Sequence, residues 1–372
     1  MSARAAHRDF IVRCITEETR SFYLTESMRI STFYWALGSL FLLEEHKKLN
    51  SFSARVGGFV AACQNPDGGF GGRPGYPSCA ISTLSALQIL YLIKRNKEIV
   101  LASPESAPLP QEEAPCEKMP SQFTIRDREE ELLNLQTAVE STGLPPADAP
   151  SGAEFPEKSI NYVLCNAYLE SIVTNEKLVG YDSILDIRQI CCYVSSKNLL
   201  SLLALGGPEM FFVLTPMKKM LCNYISQCIN IDGGLGVIPG CESHATYNFC
   251  GLSALFLMGE MSCVYPQETA MSISLLQAAS GGLSGRPDRI EEICSTYWNY
   301  SSLAIMGKES YVDGKAVLEY ISSCESPTGG YSDRPGESPN LLHTLYALAC
   351  KSIAEHKIVM EILPTLSFCL FE

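Results

Sequence analysis

Apolar residues along this chain come in long stretches, broken at short intervals by glycine pairs. The stretch from Ser243 to Gly259 is apolar nearly all round and ends in glycine, the pattern of a helix buried on most of its faces. The next stretch, around Thr269 to Ala279, mixes polar and apolar positions, as expected of a helix with one face in solvent. The chain therefore reads as helix pairs, each with an inner and an outer member. A Gly-Gly loop joins outer to inner helix, and it recurs four times. The copies are Asp67-Gly68-Gly69-Phe70-Gly71-Gly72-Arg73-Pro74-Gly75, Asp232-Gly233-Gly234-Leu235-Gly236, Gly281-Gly282-Leu283-Ser284-Gly285-Arg286-Pro287 and Gly329-Gly330-Tyr331-Ser332-Asp333-Arg334-Pro335-Gly336. Gly233, Gly281 and Gly329 stand at an even step of 48 residues. A fixed period of this size marks a repeat architecture, and glycine supplies the positive φ that tight loops need.

Gly68 lies 165 residues before Gly233, more than three periods, so the interval holds extra chain. Residues from about 99 to 157 are rich in Pro, Ser, Ala and Glu, a composition that cannot bury enough apolar area to fold alone. They are expected to form a flexible surface insertion, with room for one short helix within Arg126 to Val139. Beyond it, Ile160 to Leu205 is helical and apolar again. Leu178 to Leu205 reads as a degraded repeat that keeps only Gly180 of its pair, and Gly206-Gly207 as the stop signal of its inner helix. Residues 1–372 then form one repeat domain with one interruption.

Composition narrows the class. With 46% hydrophobic residues and a mean hydropathy of +0.07, the chain can bury a large core. A formal charge of −13 argues against an electrostatic hold on nucleic acid or an acidic membrane. The 16 cysteines sit in apolar runs such as Cys191-Cys192, where they read as small core residues. Met1 to Cys14 lacks an apolar signal segment. The expectation is a reduced, cytoplasmic protein with no transmembrane segment.

Phasing the chain on the first glycine of each pair brings out candidate chemistry. His244 stands 11 residues after Gly233, Glu292 11 after Gly281, and His343 14 after Gly329, with Cys294 two residues past Glu292. All four should meet at one end of the repeats, near inner-helix N-termini, where the loop also carries Arg286 and Arg289. Glu292, Cys294 and His343 can be read as an open three-ligand zinc set, or as a core cysteine and a hydrogen-bonded histidine. His244, Arg286 and Arg289 can be read as an anion site, or as a cap and two solvated arginines. Taken as sites, the two sets suggest transfer of an apolar diphosphate to a sulfur nucleophile. The sequence contains no Walker loop, dinucleotide fingerprint or Gly-x-Ser-x-Gly elbow.

At these residues the chain resembles the β subunits of protein prenyltransferases. The resemblance rests on residues 282–294, 239–245 and 333–344, and covers nearly everything outside the insertion. It implies an all-α fold, an α–α barrel (toroid) of helix pairs around an apolar funnel. Catalytic zinc would sit on Glu292, Cys294 and His343, and His244, Arg286 and Arg289 would contact the diphosphate. Within the family, residues 28–37 look most like the Rab (type II) geranylgeranyltransferase branch. The farnesyl enzyme carries Trp where this chain has Ser31, and Tyr where it has Leu84, so a longer pocket for geranylgeranyl diphosphate is implied. Tyr34, Trp35, Arg188, Cys191, Tyr247, Cys250 and Trp298 fall at other funnel positions. A prenyltransferase α subunit, forming a heterodimer, and a Rab GTPase with its escort protein are the implied partners. Four positions depart from the family: Glu292 for Asp, Arg289 for Lys, Ser295 for Tyr, and Asn340 for an acidic residue. They leave room for a slow enzyme, or for a barrel that binds lipid or partner without catalysis. Lipid length is read from two positions only, so a farnesyl or type I enzyme is a further alternative. A terpene cyclase is disfavoured, because no Asp-x-Asp-Asp motif is present.

Overall fold

The computed structural model describes residues 2–17, 20–102, 160–173, 185–203 and 213–355. Those residues form thirteen α-helices: α1 (Ala3–Thr16), α2 (Arg20–Leu24), α3 (Arg29–Leu42), α4 (His46–Ala62), α5 (Ala80–Ala102), α6 (Tyr162–Val173), α7 (Ile187–Leu203), α8 (Thr215–Gln227), α9 (Ala245–Met258), α10 (Pro266–Ser274), α11 (Ile293–Met306), α12 (Gly314–Ser323) and α13 (Leu341–Ala354). Helices α3, α5, α7, α9, α11 and α13 pack in that order, and α13 returns to α3, closing a six-membered inner ring. Outside it lie α1, α4, α6, α8, α10 and α12, each against the inner helix that follows it in sequence. This is the α–α toroid. Among the described residues, no helix is long and apolar enough to cross a membrane.

Burial follows the apolar pattern. Inner helix α3 buries every residue from Arg29 to Phe41, whereas outer helix α12 buries only Val317, Tyr320 and Ile321, one stripe at helical spacing. Gly259 and Gly307 end α9 and α11 in the left-handed conformation, as glycine at a helix end should.

The four Gly-Gly loops share one construction. The large residue after each pair (Phe70, Leu235, Leu283, Tyr331) is fully buried. Its backbone N–H donates to a side-chain oxygen 13 residues on, in the next inner helix: Phe70 to Thr83 at 3.0 Å, Leu235 to Asn248 at 2.7 Å, Leu283 to Thr296 at 2.9 Å and Tyr331 to Thr344 at 3.0 Å. A buried N–H left unpaired is costly, so these side chains fix each loop to its helix. The first glycine of a pair lies against the backbone of the next outer helix. At Gly281 (φ +93) a Cβ would fall 2.1 Å from the Ala316 carbonyl oxygen of α12. The last loop treats α1 as its next outer helix. Gly329 abuts the Ala6 carbonyl, and the Gly330 N–H donates to His7 Nδ1 at 2.9 Å. The N-terminal helix thereby closes the ring.

Two expectations shift. Helix α5 continues to Ala102, so the segment expected to begin near residue 99 starts inside a helix; residues 103–159, with Arg126 to Val139, lie outside the described residues. Gly180 and Gly206-Gly207 lie outside them too. The outer helix expected over Thr269 to Ala279 spans Pro266–Ser274 instead, because Gln277 leaves it to form an isolated bridge with Leu283.

Candidate metal and anion site

The N-termini of four inner helices, α3, α7, α9 and α11, are each held by a second backbone contact. Each loop offers a carbonyl to the first turn of the preceding inner helix. Gly72 accepts from Ile30 N–H at 3.0 Å, Val237 from Ile187 at 3.0 Å, Gly285 from Ala245 at 2.8 Å and Asp333 from Ile293 at 3.0 Å. These four carbonyls stand four residues after the first glycine of their pairs. The contact at Asp333 sets its side chain beside the residue following Ile293, which is Cys294.

There the ligand atoms of Cys294, Asp333 and His343 all lie within 4.8 Å of one another. His343 Nε2 is 3.4 Å from Asp333 Oδ1. The other ring nitrogen, Nδ1, is 2.9 Å from the Asn340 side-chain nitrogen, and Asn340 Oδ1 accepts the His343 backbone N–H at 2.9 Å. Asn340 thus caps α13 and orients the imidazole. Burial first, and the Arg334 charge second, push the His343 pKa down to about 4. The ring is therefore neutral at physiological pH, the form that ligates metal. Thiolate, carboxylate and imidazole with a fourth position open suit a catalytic zinc centre.

Glu292 occupies the N-cap position of α11, but its carboxylate is engaged elsewhere. It accepts from Ser295 Oγ at 2.7 Å and pairs with Arg334 Nη2 at 3.3 Å. Of the expected metal set, the structure brings Cys294 and His343 together and adds Asp333, which sequence reasoning passed over. Its position in the repeat was a usable signal, since it holds the only carboxylate among Gly72, Val237, Gly285 and Asp333.

His244 caps α9, its Nδ1 accepting from the Thr246 N–H at 3.2 Å. A Cβ on Gly285 would fall only 2.7 Å from His244 Nε2 and 3.0 Å from Ser295 Oγ. Glycine at 285 is what lets the three elements meet. Burial, then the Arg286 charge, lowers the His244 pKa. Arg286 is ion-paired with Glu242. Arg289 is exposed, and its backbone carbonyl accepts from Ser284 Oγ at 2.7 Å. A cavity of about 750 Å³ borders His244 and Arg286 and runs out past Met271 of α10 and Leu275 at its C-terminal end.

The other expected funnel residues divide by depth. Tyr34, Leu84, Cys191 and Cys250 are fully buried, Ser31 and Trp35 nearly so. Ser31 and Ser85 join α3 to α5 through their hydroxyls at 3.0 Å. Arg188 forms a bidentate pair with Asp186 at the start of α7. Tyr247 and Trp298 are partly buried and flank His244 at ring separations of 5.6 and 6.4 Å. Tyr346, one turn beyond His343, extends this aromatic wall at 5.8 Å from Trp298.

The fold is a toroid of helix pairs, and this rim gathers Cys294, Asp333 and His343 into a group that could hold a metal ion, with His244 and Arg286 nearby. The chain belongs to the family of the prenyltransferase alpha-alpha toroid domain, which it matches over residues 3–104 and 161–368. It is 25% identical over 301 residues to the geranylgeranyl transferase type-2 subunit beta of Candida albicans, covering 79% of this chain and 71% of that protein. It is 33% identical over 160 residues to the type-1 subunit beta of Arabidopsis thaliana, covering 40% of this chain and 43% of that one. A match to the protein farnesyltransferase subunit beta of Arabidopsis thaliana runs at 21% identity over 290 residues, 78% of this chain and 46% of that one. The solved structure of Candida albicans protein geranylgeranyltransferase-I complexed with GGPP superposes with a TM-score of 0.59 at 16% identity, over 95% of this chain and 92% of that one. That likeness is one of fold.

Proposed function

We propose that this chain is the catalytic β subunit of a protein geranylgeranyltransferase. It transfers the geranylgeranyl group from its diphosphate to C-terminal cysteine thiols of Rab-type GTPases. It works in the cytoplasm with a prenyltransferase α subunit, and the Rab arrives with its escort protein. The observation that carries the reading is the meeting of Cys294, Asp333 and His343 on the same rim as His244 and Arg286. Similarity to the type-2 subunit over 79% of the chain favours the Rab branch, and Ser31 and Leu84 favour the longer lipid.

In the reaction the bond from lipid C1 to the diphosphate oxygen breaks, a C–S bond forms, and the thiol proton passes to solvent. Zinc held at Cys294 and His343 with a rim carboxylate would favour the thiolate form of the incoming cysteine. Arg286, released from Glu242, would grip the diphosphate oxygens through charge-assisted hydrogen bonds. His244, with its Nδ1 committed to the α9 cap, presents Nε2 toward the same leaving group. These donors would stabilise charge as it develops on the diphosphate. The buried inner helices would enclose the lipid and exclude water. Residues between the two family-matched segments are an insertion into this one barrel.

A second reading, a barrel that binds lipid or partner without transfer, is favoured by the engagement of Glu292 with Ser295 and Arg334. The test is lipid transfer by the chain with its α subunit to a Rab C-terminus and to a farnesyl-acceptor peptide, from twenty- and fifteen-carbon diphosphates. Transfer of the longer lipid to Rab is expected. Transfer of the shorter lipid instead would assign the farnesyl branch, and transfer of neither would favour the binding module.

A further inference from the structure

Two carboxylates compete for one position at the Cys294 and His343 pair, and the loop chain decides between them. Glu292 is two residues from Cys294 in sequence, but its side chain lies under Arg334 and Ser295. Asp333 is 39 residues from Cys294 in sequence, yet its carboxylate shares the cluster with the thiol and the imidazole. The two placements are coupled, because Arg334 follows Asp333 directly. The carbonyl of Asp333 is pinned to Ile293; the Asp333 carboxylate stands in the cluster with Cys294, and Arg334 Nη2 lies between the two acids, 3.3 Å from Glu292 Oε2 and 3.8 Å from Asp333 Oδ2. The extra methylene of Glu292 lets its carboxylate reach that guanidinium.

We infer that Asp333, and not Glu292, supplies the carboxylate ligand of the metal site in this chain, with Arg334 holding Glu292 out of the coordination sphere. This rests on the zinc reading above and specifies the third ligand of that site. Asp333 gives the metal a short carboxylate on a backbone tethered to α11, so it arrives pre-positioned. Glu292 becomes a positioning residue, its negative charge holding Arg334 at the rim.

The test uses the full-length chain and cobalt(II), which reports through its absorption where zinc is silent. Affinity is read by chelator competition, and thiolate ligation by the near-ultraviolet charge-transfer band. Wild-type protein should bind one cobalt with that band, and Cys294→Ala should abolish it. Asp333→Asn should weaken binding by about a hundredfold or more, at or beyond the upper end seen for outer-shell partners. Glu292→Gln should keep wild-type affinity and spectrum. Asp333→Glu, which retains a carboxylate, should recover part of the affinity and so separates lost ligation from misfolding. Loss of cobalt in Glu292→Gln with binding intact in Asp333→Asn overturns the assignment, as does equal weakening in both. No cobalt uptake by the wild type would instead sink the zinc reading itself.

Discussion

The loops at Gly233 and Gly329 hold their inner helices by the same bonds. Leu235 donates to Asn248 and Tyr331 to Thr344. Val237 and Asp333 each accept the N–H of a neighbouring inner helix at 3.0 Å. Their outward faces also match, each resting its first glycine on the next outer helix. The difference lies in one side chain. At the first loop the rim position is valine. At the second it is aspartate, facing Cys294 and His343. Because the backbone carries the scaffold bonds in both loops, the side chain at this position is free to carry chemistry. One repeat can therefore become a site without loss of its structural role.

The comparison breaks most severely if the shared backbone is altered. Gly281→Ala, with a left-handed φ and a Cβ 2.1 Å from a backbone oxygen, should lose about 4 kcal/mol or more. Gly240→Ala, at φ +80 but facing open space, should lose only about 1–2 kcal/mol. Urea unfolding of the two variants checks this, and equal losses would mean the docking contact is not what matters. Next in size is a side chain on the chemical rim. Arg286→Ala should reduce kcat/KM for the lipid diphosphate by about 10- to 100-fold, the loss of one charged hydrogen bond, with the melting temperature nearly unchanged. Loss of stability without loss of rate would move Arg286 to the scaffold.

Thr83→Val tests the bonds shared by all four loops. It strands the buried Phe70 N–H, and unfolding should register about 1–3 kcal/mol. Bound zinc per folded chain should stay as in wild type, since this loop has no part in the rim chemistry.

The smallest effect is expected at the closing seam. His7 accepts from Gly330 through Nδ1, lies 3.3 Å from Glu325 through Nε2, and stacks on Tyr331, with Lys351 near enough to act on its charge. Burial lowers its pKa against the raising effect of Glu325. A histidine whose folded pKa is depressed contributes stability that is complete above the unfolded value of about 6.5 and declines as pH falls through it, since the unfolded chain then takes the proton more readily. Amide exchange in α1 and at Gly330 should accelerate as pH drops below that point, after correction for intrinsic rates. In His7→Asn, whose amide oxygen can still accept the Gly330 N–H, the acceleration should disappear. Its persistence would place the seam's acid sensitivity elsewhere.

Much of this was legible in the sequence, and the unread parts share a cause. The 48-residue step and the contrast of all-apolar with mixed stretches gave the helix pairs. Phasing on the glycines placed His244, Glu292, Cys294 and His343 on one rim. Closure through α1 was not legible, because α1 follows no Gly-Gly loop and its partner Gly330 is 323 residues from His7. The place of Asp333 depends on a carbonyl reaching Ile293 in another unit, and Glu292 is held by Arg334, 42 residues away. Periodicity shows which residues share an end of the ring. It does not show which side chains on that end turn toward each other.

Elemental analysis of zinc in the purified chain and in Cys294→Ala tests the central claim most directly. One zinc per wild-type chain is expected and none in the variant, with equal melting temperatures for the metal-free proteins. Equal zinc in both, or none in the wild type, would contradict a zinc centre on this rim.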